Sequence, residues 1–170
     1  MKNNQIKFEY IKSHWYLDEG VIYSQRTHMP ISFSCKSSKN KHRFAMVNLA
    51  GGIETSICIH DAIWMMHHNR PLPDGKFEVH HVDGNILNNN PSNLVLMSNR
   101  MHRLYHRYIA GAKGYYYNAQ CLTSPWKAQV HLPIGRRITK SFATEAEAQA
   151  FVAYHRAPII KAFKQLGLPV

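Results

Sequence analysis

The chain has 170 residues, 45% of them hydrophobic and 18% charged, with a formal net charge of +11. That is enough apolar material for one domain or two small ones, and the excess of cations points to a polyanionic partner. No apolar run approaches the roughly 18 residues of a membrane span, and the opening Met1-Lys2-Asn3-Asn4-Gln5 lacks a signal peptide's apolar stretch. Cys35, Cys58 and Cys121 are too far apart to form a C-x-x-C pair, which argues against a disulfide framework or a zinc knuckle and favours a reducing, cytoplasmic setting. The charge is uneven: residues 1–112 carry a net +5 and the much shorter 113–170 a net +6.

In chain order, the opening reads as strand-like pieces, with a hairpin over Tyr16-Leu17 and Val21–Ser24 turning at Asp18-Glu19-Gly20. Residues 34–43 lack a hydrophobic period and hold Lys36, Lys39, Lys41 and Arg43, an exposed basic loop suited to phosphate. A second hairpin pairs Phe44–Leu49 with Ile53–Ile59 around Ala50-Gly51-Gly52, with Ile53, Thr55, Ile57 and Ile59 on one face. A short helix follows from His60 to His68, with Ile63, Trp64, Met66 and His67 on its buried side. His67 and His68 form a pair with no further ligand at a useful spacing and are set aside. Residues 79–82 read as a strand, Asp83-Gly84 as a tight turn and 94–97 as a second strand. Ser98 is an N-cap for a helix from Asn99 to about Tyr108.

The histidines of that last segment carry the chemistry. His102 and His106 are four apart on a helix, so both imidazoles project from one face and can share a metal. His80 and His81 are neighbours on a strand and point to opposite faces. One can join the metal while the other takes a proton from water, since imidazole has a pKa of roughly 6.5.

Val79-His80-His81-Val82-Asp83-Gly84-Asn85, Asn93-Leu94 and His102 resemble the H-N-H endonucleases, which have a ββ-metal fold. The steps from His81 to Asn93 and from Asn93 to His102 match the family's spacing. The resemblance implies His80 and His102 as metal ligands, His106 as a third ligand found in some branches, His81 as general base, and Asn93 as the brace that orients His81. It implies one divalent ion, Mg²⁺ or Mn²⁺, with Zn²⁺ or Ni²⁺ open because the ligands are imidazoles. The implied reaction is phosphodiester hydrolysis leaving a 5′-phosphate and a 3′-hydroxyl. Arg100 and Arg103 on the same helix are further candidates for DNA contact. His60-Asp61-Ala62-Ile63-Trp64 resembles the approach to the core in the homing branch, with Asp61 where arginine is usual; His60 itself reads as a structural residue at a helix start.

Gly111-Ala112-Lys113-Gly114 reads as a boundary. Beyond it, Tyr115–Cys121, Trp126–Leu132 and Arg136–Phe142 read as three strands. Thr144-Glu145-Ala146-Glu147 is a capping box that opens a helix to about Arg156, and Pro158 starts a short second one. Trp126, Ala128, Val130 and Leu132 should face Ala148, Phe151, Val152 and His155, leaving Lys127, Gln129 and His131 outward with Arg136, Arg137 and Lys140 nearby. A sheet with such a basic face fits a major groove. Lys113-Gly114-Tyr115, Trp126–Val130, Phe142 and Glu145–Ala148 resemble the APETALA-type (ethylene-response-factor) DNA-binding domain.

The reading is therefore an α+β chain: an H-N-H nuclease with N-terminal hairpins over 1–110 and a DNA reader over 113–170. It resembles phage-type homing endonucleases, acting as a monomer on double-stranded DNA, with no membrane, in the host cytoplasm or nucleoid. A general or restriction-type H-N-H nuclease and a non-catalytic DNA-binding regulator are the alternatives.

Overall fold

The computed structural model describes residues 3–35 and 42–170, and its first element is a helix, α1 (Asn3–His14). The strand-like opening expected there begins only afterwards. The helix is hard to see in sequence because only Phe8 and Ile11 are buried, with Lys7, Glu9 and Lys12 before, between and after them. β1 (Trp15–Asp18) and β2 (Val21–Ser24) form the first hairpin, with Asp18 opposite Val21. Both loop residues have positive φ, Glu19 at 45° and Gly20 at 82°, as a two-residue turn matched to strand twist requires.

A three-stranded antiparallel sheet follows in the order β3 (Ser34–Cys35), β4 (Arg43–Leu49), β5 (Ile53–Cys58). Ala45, Val47 and Leu49 alternate inward on β4, and Ile57 sits opposite Ala45. Ile53 shares their face but lies beside the turn and is exposed. Helix α2 (Ile59–His68) starts at the residue after β5 and ends on Asn69, whose left-handed backbone lets its N–H reach the carbonyls of Met65 and Met66. The buried side of α2 is Ala62, Ile63, Trp64 and Met65; His67 is exposed, contrary to the periodicity reading, because the apolar run is continuous rather than two-sided. These residues join Phe8, Ile11, Trp15, Ile22, Val79 and Leu94 in one core.

β6 (Phe77–His81) and β7 (Leu94–Ser98) pair as a two-stranded sheet joined by the asparagine-rich loop and a 3₁₀ turn at Pro91–Asn93. Val79, His80 and His81 are buried in succession, so β6 is covered on both faces.

The chain divides into two compact units, one ending at Met97 and one running from Ser98 to Val170. The second opens with α3 (Asn99–Ile109), ahead of the Gly111–Gly114 stretch at which the sequence reading divides the chain. Ser98 caps α3, its hydroxyl accepting from the Met101 N–H. Tyr105 packs edge-on against Phe163 with ring centroids 5.4 Å apart, and its hydroxyl donates to the Pro169 carbonyl at 3.3 Å. The antiparallel sheet β8 (Tyr115–Tyr117), β9 (Trp126–His131), β10 (Arg137–Phe142) has β9 at its centre. β8 ends four residues earlier than expected, where the backbone turns through a bond from Asn118 N–H to the Pro125 carbonyl.

Ala128 and Val130 meet Ala148 and Val152 of α4 (Glu145–Gln165) in a core that includes Ile159, Phe163 and Leu168. The capping box forms as read, with Thr144 and Glu147 bonding reciprocally. Helix α4 does not stop at Arg156 and restart; it runs unbroken through Pro158. The proline withholds an N–H from the Tyr154 carbonyl, but Tyr154 is 77% exposed, so water can take the place of the missing donor. Four α-helices and small antiparallel sheets thus make up a mixed, α+β architecture among the described residues.

Candidate active site and nucleic-acid surfaces

The strand that carries His80 and His81 runs into a turn built from side-chain amides. Asp83 is its centre. Its carboxylate accepts from the Asn85 N–H at 2.8 Å, from Asn88 Nδ2 at 2.7 Å and from Asn93 Nδ2 at 2.9 Å. These bonds hold the Asp83 carboxyl below the usual carboxylate range. Asn93 also donates to the Asn88 carbonyl and accepts from the Asp83 N–H at 3.0 Å, and its own carbonyl accepts from the Val82 N–H at 2.9 Å. Asn93 therefore bonds to the turn rather than directly to an imidazole.

The imidazole of His81 has a different partner, Asn89, which the sequence did not single out. His81 Nε2 lies 3.0 Å from Asn89 Oδ1, while Asn89 Nδ2 reaches the Leu87 carbonyl at 3.4 Å. With the amide so oriented its oxygen can only accept, so Nε2 carries the hydrogen in the neutral ring and Nδ1 keeps the lone pair. Two more histidines surround that ring. His60 meets it edge-on with centroids 5.3 Å apart, and His42 is 6.0 Å away. Both are held below the ordinary histidine range. Burial drives His60 down to about 3, with His42 and His81 adding to it, and burial then His81 lowers His42. His60 is thus a neutral, buried wall behind His81, not merely a residue of the helix start. Beside it, burial raises the Asp61 carboxyl to about 6, with Lys7 opposing and Glu78 reinforcing.

On α3, His102 is half-buried and His106 exposed, and their Nε2 atoms lie 2.9 Å apart. The two imidazole nitrogens, one helical turn apart, face each other and could share a divalent ion. His80 is buried on β6. A second group of potential ligands is Cys58, His60 and Asp61. His67 and His68 are exposed at the end of α2, with the His68 ring against Trp64.

The candidate DNA-contacting residues fall in several places. Lys36, Lys39 and Lys41 lie outside the described residues. Arg43 is exposed at the start of β4 and lines a cleft with Glu19, Leu87, Asn89 and Asn90. In the second unit, the face of β9 that carries Lys127, Gln129 and His131 pairs with Ser141, Thr139 and Arg137 of β10. With its amide turned to suit both partners, the Gln129 carbonyl accepts from Arg137 Nε and Nη1. Lys140 does not belong to that face: it pairs with Ala128, on the side towards α4, and its ammonium lies over the Phe142 ring. Arg136 is exposed in the turn before β10.

The outer face is also not wholly open. Arg100, Arg103 and Arg107 of α3 line a cleft with His131, and Arg100 donates to the Ile134 carbonyl at 3.1 Å. Burial, then Arg107 and Arg137, lowers the His131 pKa. Arg107 was missed because helix periodicity says nothing of which strand a helix meets.

A family model described as an HNH endonuclease matches residues 58–104, from the end of β5 into α3. No curated protein and no solved structure matches the chain. The matched segment contains His80, His81, Asn93 and His102. It supports a nuclease of the H-N-H type, a hydrolase with a nucleic-acid substrate; such enzymes generally use a divalent metal. Among the described residues no helix is long and apolar enough to cross a membrane.

Proposed function

We propose that the chain is a metal-dependent DNA endonuclease of the H-N-H homing type, hydrolysing phosphodiester bonds to leave 5′-phosphate and 3′-hydroxyl ends. The observation that carries this is the contact of the buried His81 imidazole with Asn89, Nε2 3.0 Å from Oδ1, an arrangement that would leave Nδ1 to take a proton from water. Asn93 is a positioning residue, fixing the turn that follows His81. His80, His102 and His106 are the proposed metal ligands. Their support is the family match, which covers His80 and His102, and the facing nitrogens of the α3 pair. The donor set fits a divalent ion, Mg²⁺ or Mn²⁺ by the family's habit and Zn²⁺ or Ni²⁺ by ligand softness. When bound, it supplies Lewis-acid stabilisation of charge at the phosphate and the leaving 3′ oxygen.

Residues 1–110 are the nuclease and 113–170 the reader in this proposal. Double-stranded DNA is approached by Arg43 and the 36–41 segment on one side in sequence and by Lys127, Gln129, His131, Arg136 and Arg137 on the other. The reader is of the APETALA type, its sheet packed on one long helix. A monomer in the cytoplasm of the cell that makes it completes the proposal.

The test is plasmid cleavage with Mg²⁺, Mn²⁺ or Zn²⁺, the ends mapped by sequencing. Wild type should cut, and His81→Ala should lose at least ~10²–10⁴-fold in rate while still binding DNA. A His81→Ala protein that cuts at the wild-type rate overturns the assignment. A wild type that binds but never cuts leaves the regulator reading in its place.

A further inference from the structure

The geometry points to a second metal site, at the junction of β5 and α2, where Cys58, His60 and Asp61 would hold a zinc ion. Each of the three offers a ligand atom, and those atoms lie within 4.8 Å of one another. A tetrahedral zinc shell of these donors has edges of roughly 3.3–3.8 Å, so closure needs only small side-chain movements. None of the three belongs to the ligand set proposed for the nuclease.

The local backbone explains why the three converge. Cys58 is the N-cap of α2, and His60 and Asp61 lie in its first turn. Cysteine is a poor cap, and its side chain makes no capping hydrogen bond here.

A second, independent observation comes from His60. It is 9% exposed, and its Nδ1 is buried with no hydrogen-bond partner among the described residues. A buried imidazole nitrogen is ordinarily satisfied. Its other nitrogen, Nε2, lies 3.4 Å from Asp61 Oδ1. Nε2 and Asp61 Oδ1 already stand near the spacing of two ligands on one ion, and Nδ1 leaves the ring short of a contact on its other side.

Donor chemistry selects the ion. A thiolate, an imidazole and one carboxylate suit zinc, whereas Mg²⁺ and Ca²⁺ require oxygen. His42, with its ring centroid 4.9 Å from that of His60, is the neighbouring imidazole from which a fourth ligand would come. The site would clamp the end of β5 to the start of α2 and fix the His60 ring that backs His81.

The test uses the full chain. Zinc should remain after dialysis against metal-free buffer, and reconstitution with Co²⁺ should give a thiolate-to-cobalt charge-transfer band in the near ultraviolet. Cys58→Ser should lose that band, while His102→Ala, Cys35→Ser and Cys121→Ser should keep it. His102→Ala should lose cleavage but not the band, which separates this inference from the nuclease proposal. Absence of the band from wild type, or its persistence in Cys58→Ser, overturns the site. If Cys58→Ser fails to fold by circular dichroism, Asp61→Asn serves instead. It should weaken Co²⁺ binding at least about ten-fold, and unchanged affinity overturns the site.

Discussion

Asn93 holds Asp83 with both ends of its amide: Oδ1 accepts from the Asp83 backbone N–H at 3.0 Å, and Nδ2 donates to the Asp83 carboxylate at 2.9 Å. One side chain thereby fixes both the backbone and the side chain of the residue two places after His81. Asn93→Ala should remove both bonds. The Asp83 carboxyl then rises towards its ordinary range, since two of its three hydrogen-bond donors are side chains and one of those is gone. Cleavage should fall by about 10²-fold through misplacement of His81, with DNA affinity retained. An Asn93→Ala protein with wild-type rate and an unmoved Asp83 titration by NMR would show the brace to be dispensable.

The basic sheet face gives a second prediction. Arg136 and Arg137 are exposed, and each phosphate contact contributes about one unit to the dependence of log affinity on log salt. The double variant Arg136→Gln, Arg137→Gln should flatten that slope by about two units. Point changes are preferable to removing 113–170, because Tyr105 and Tyr108 of α3 pack on Phe163 and would lose their cover. A slope equal to wild type places DNA elsewhere.

Phe163 anchors the second unit. It is fully buried, with the Tyr105 ring at 5.4 Å and the Tyr108 ring at 5.6 Å. Phe163→Ala should cost about 3–5 kcal/mol, read as a lowered midpoint in denaturant. A loss below about 1 kcal/mol would mean that this core collapses around the cavity.

The His131 ring should titrate below an ordinary histidine, because burial and the charges of Arg107 and Arg137 disfavour its protonated form. The sign follows from linkage. The folded state binds this proton less readily than the unfolded state, so the associated stability is complete above pH ~6.5 and is lost as pH falls from there towards the lowered folded value. Arg107→Gln should raise the His131 pKa, measured by NMR of the ring protons. No change would remove Arg107 as a cause.

Much of this was legible in the sequence, and the reasons differ by element. The strand, turn, strand and helix from Phe77 to Ile109 follow from the apolar run Leu94–Met97, Asp83-Gly84 and the Ser98 cap, all of them local signals. The capping box at Thr144 is local too. Helix α1 was not legible, because two buried residues among charged ones leave no strong period. Nor was the continuity of α4, since a proline that faces solvent can stay in a helix that packing supports. The surroundings of His81 were the least visible. Asn89 is one of five asparagines in its loop, His42 comes from the residue before β4 and His60 from α2; only tertiary packing selects them.

The asparagine-rich turn also sets a limit on how long the protein stays intact. Each amide that donates to Asp83 is one hydrolysis away from being a carboxylate. Deamidation of Asn88 would exchange a donor 2.7 Å from Asp83 for an acceptor of like charge. The turn would then repel the group it is built around, so chemical ageing, and not heat alone, would loosen the backbone just beyond His81.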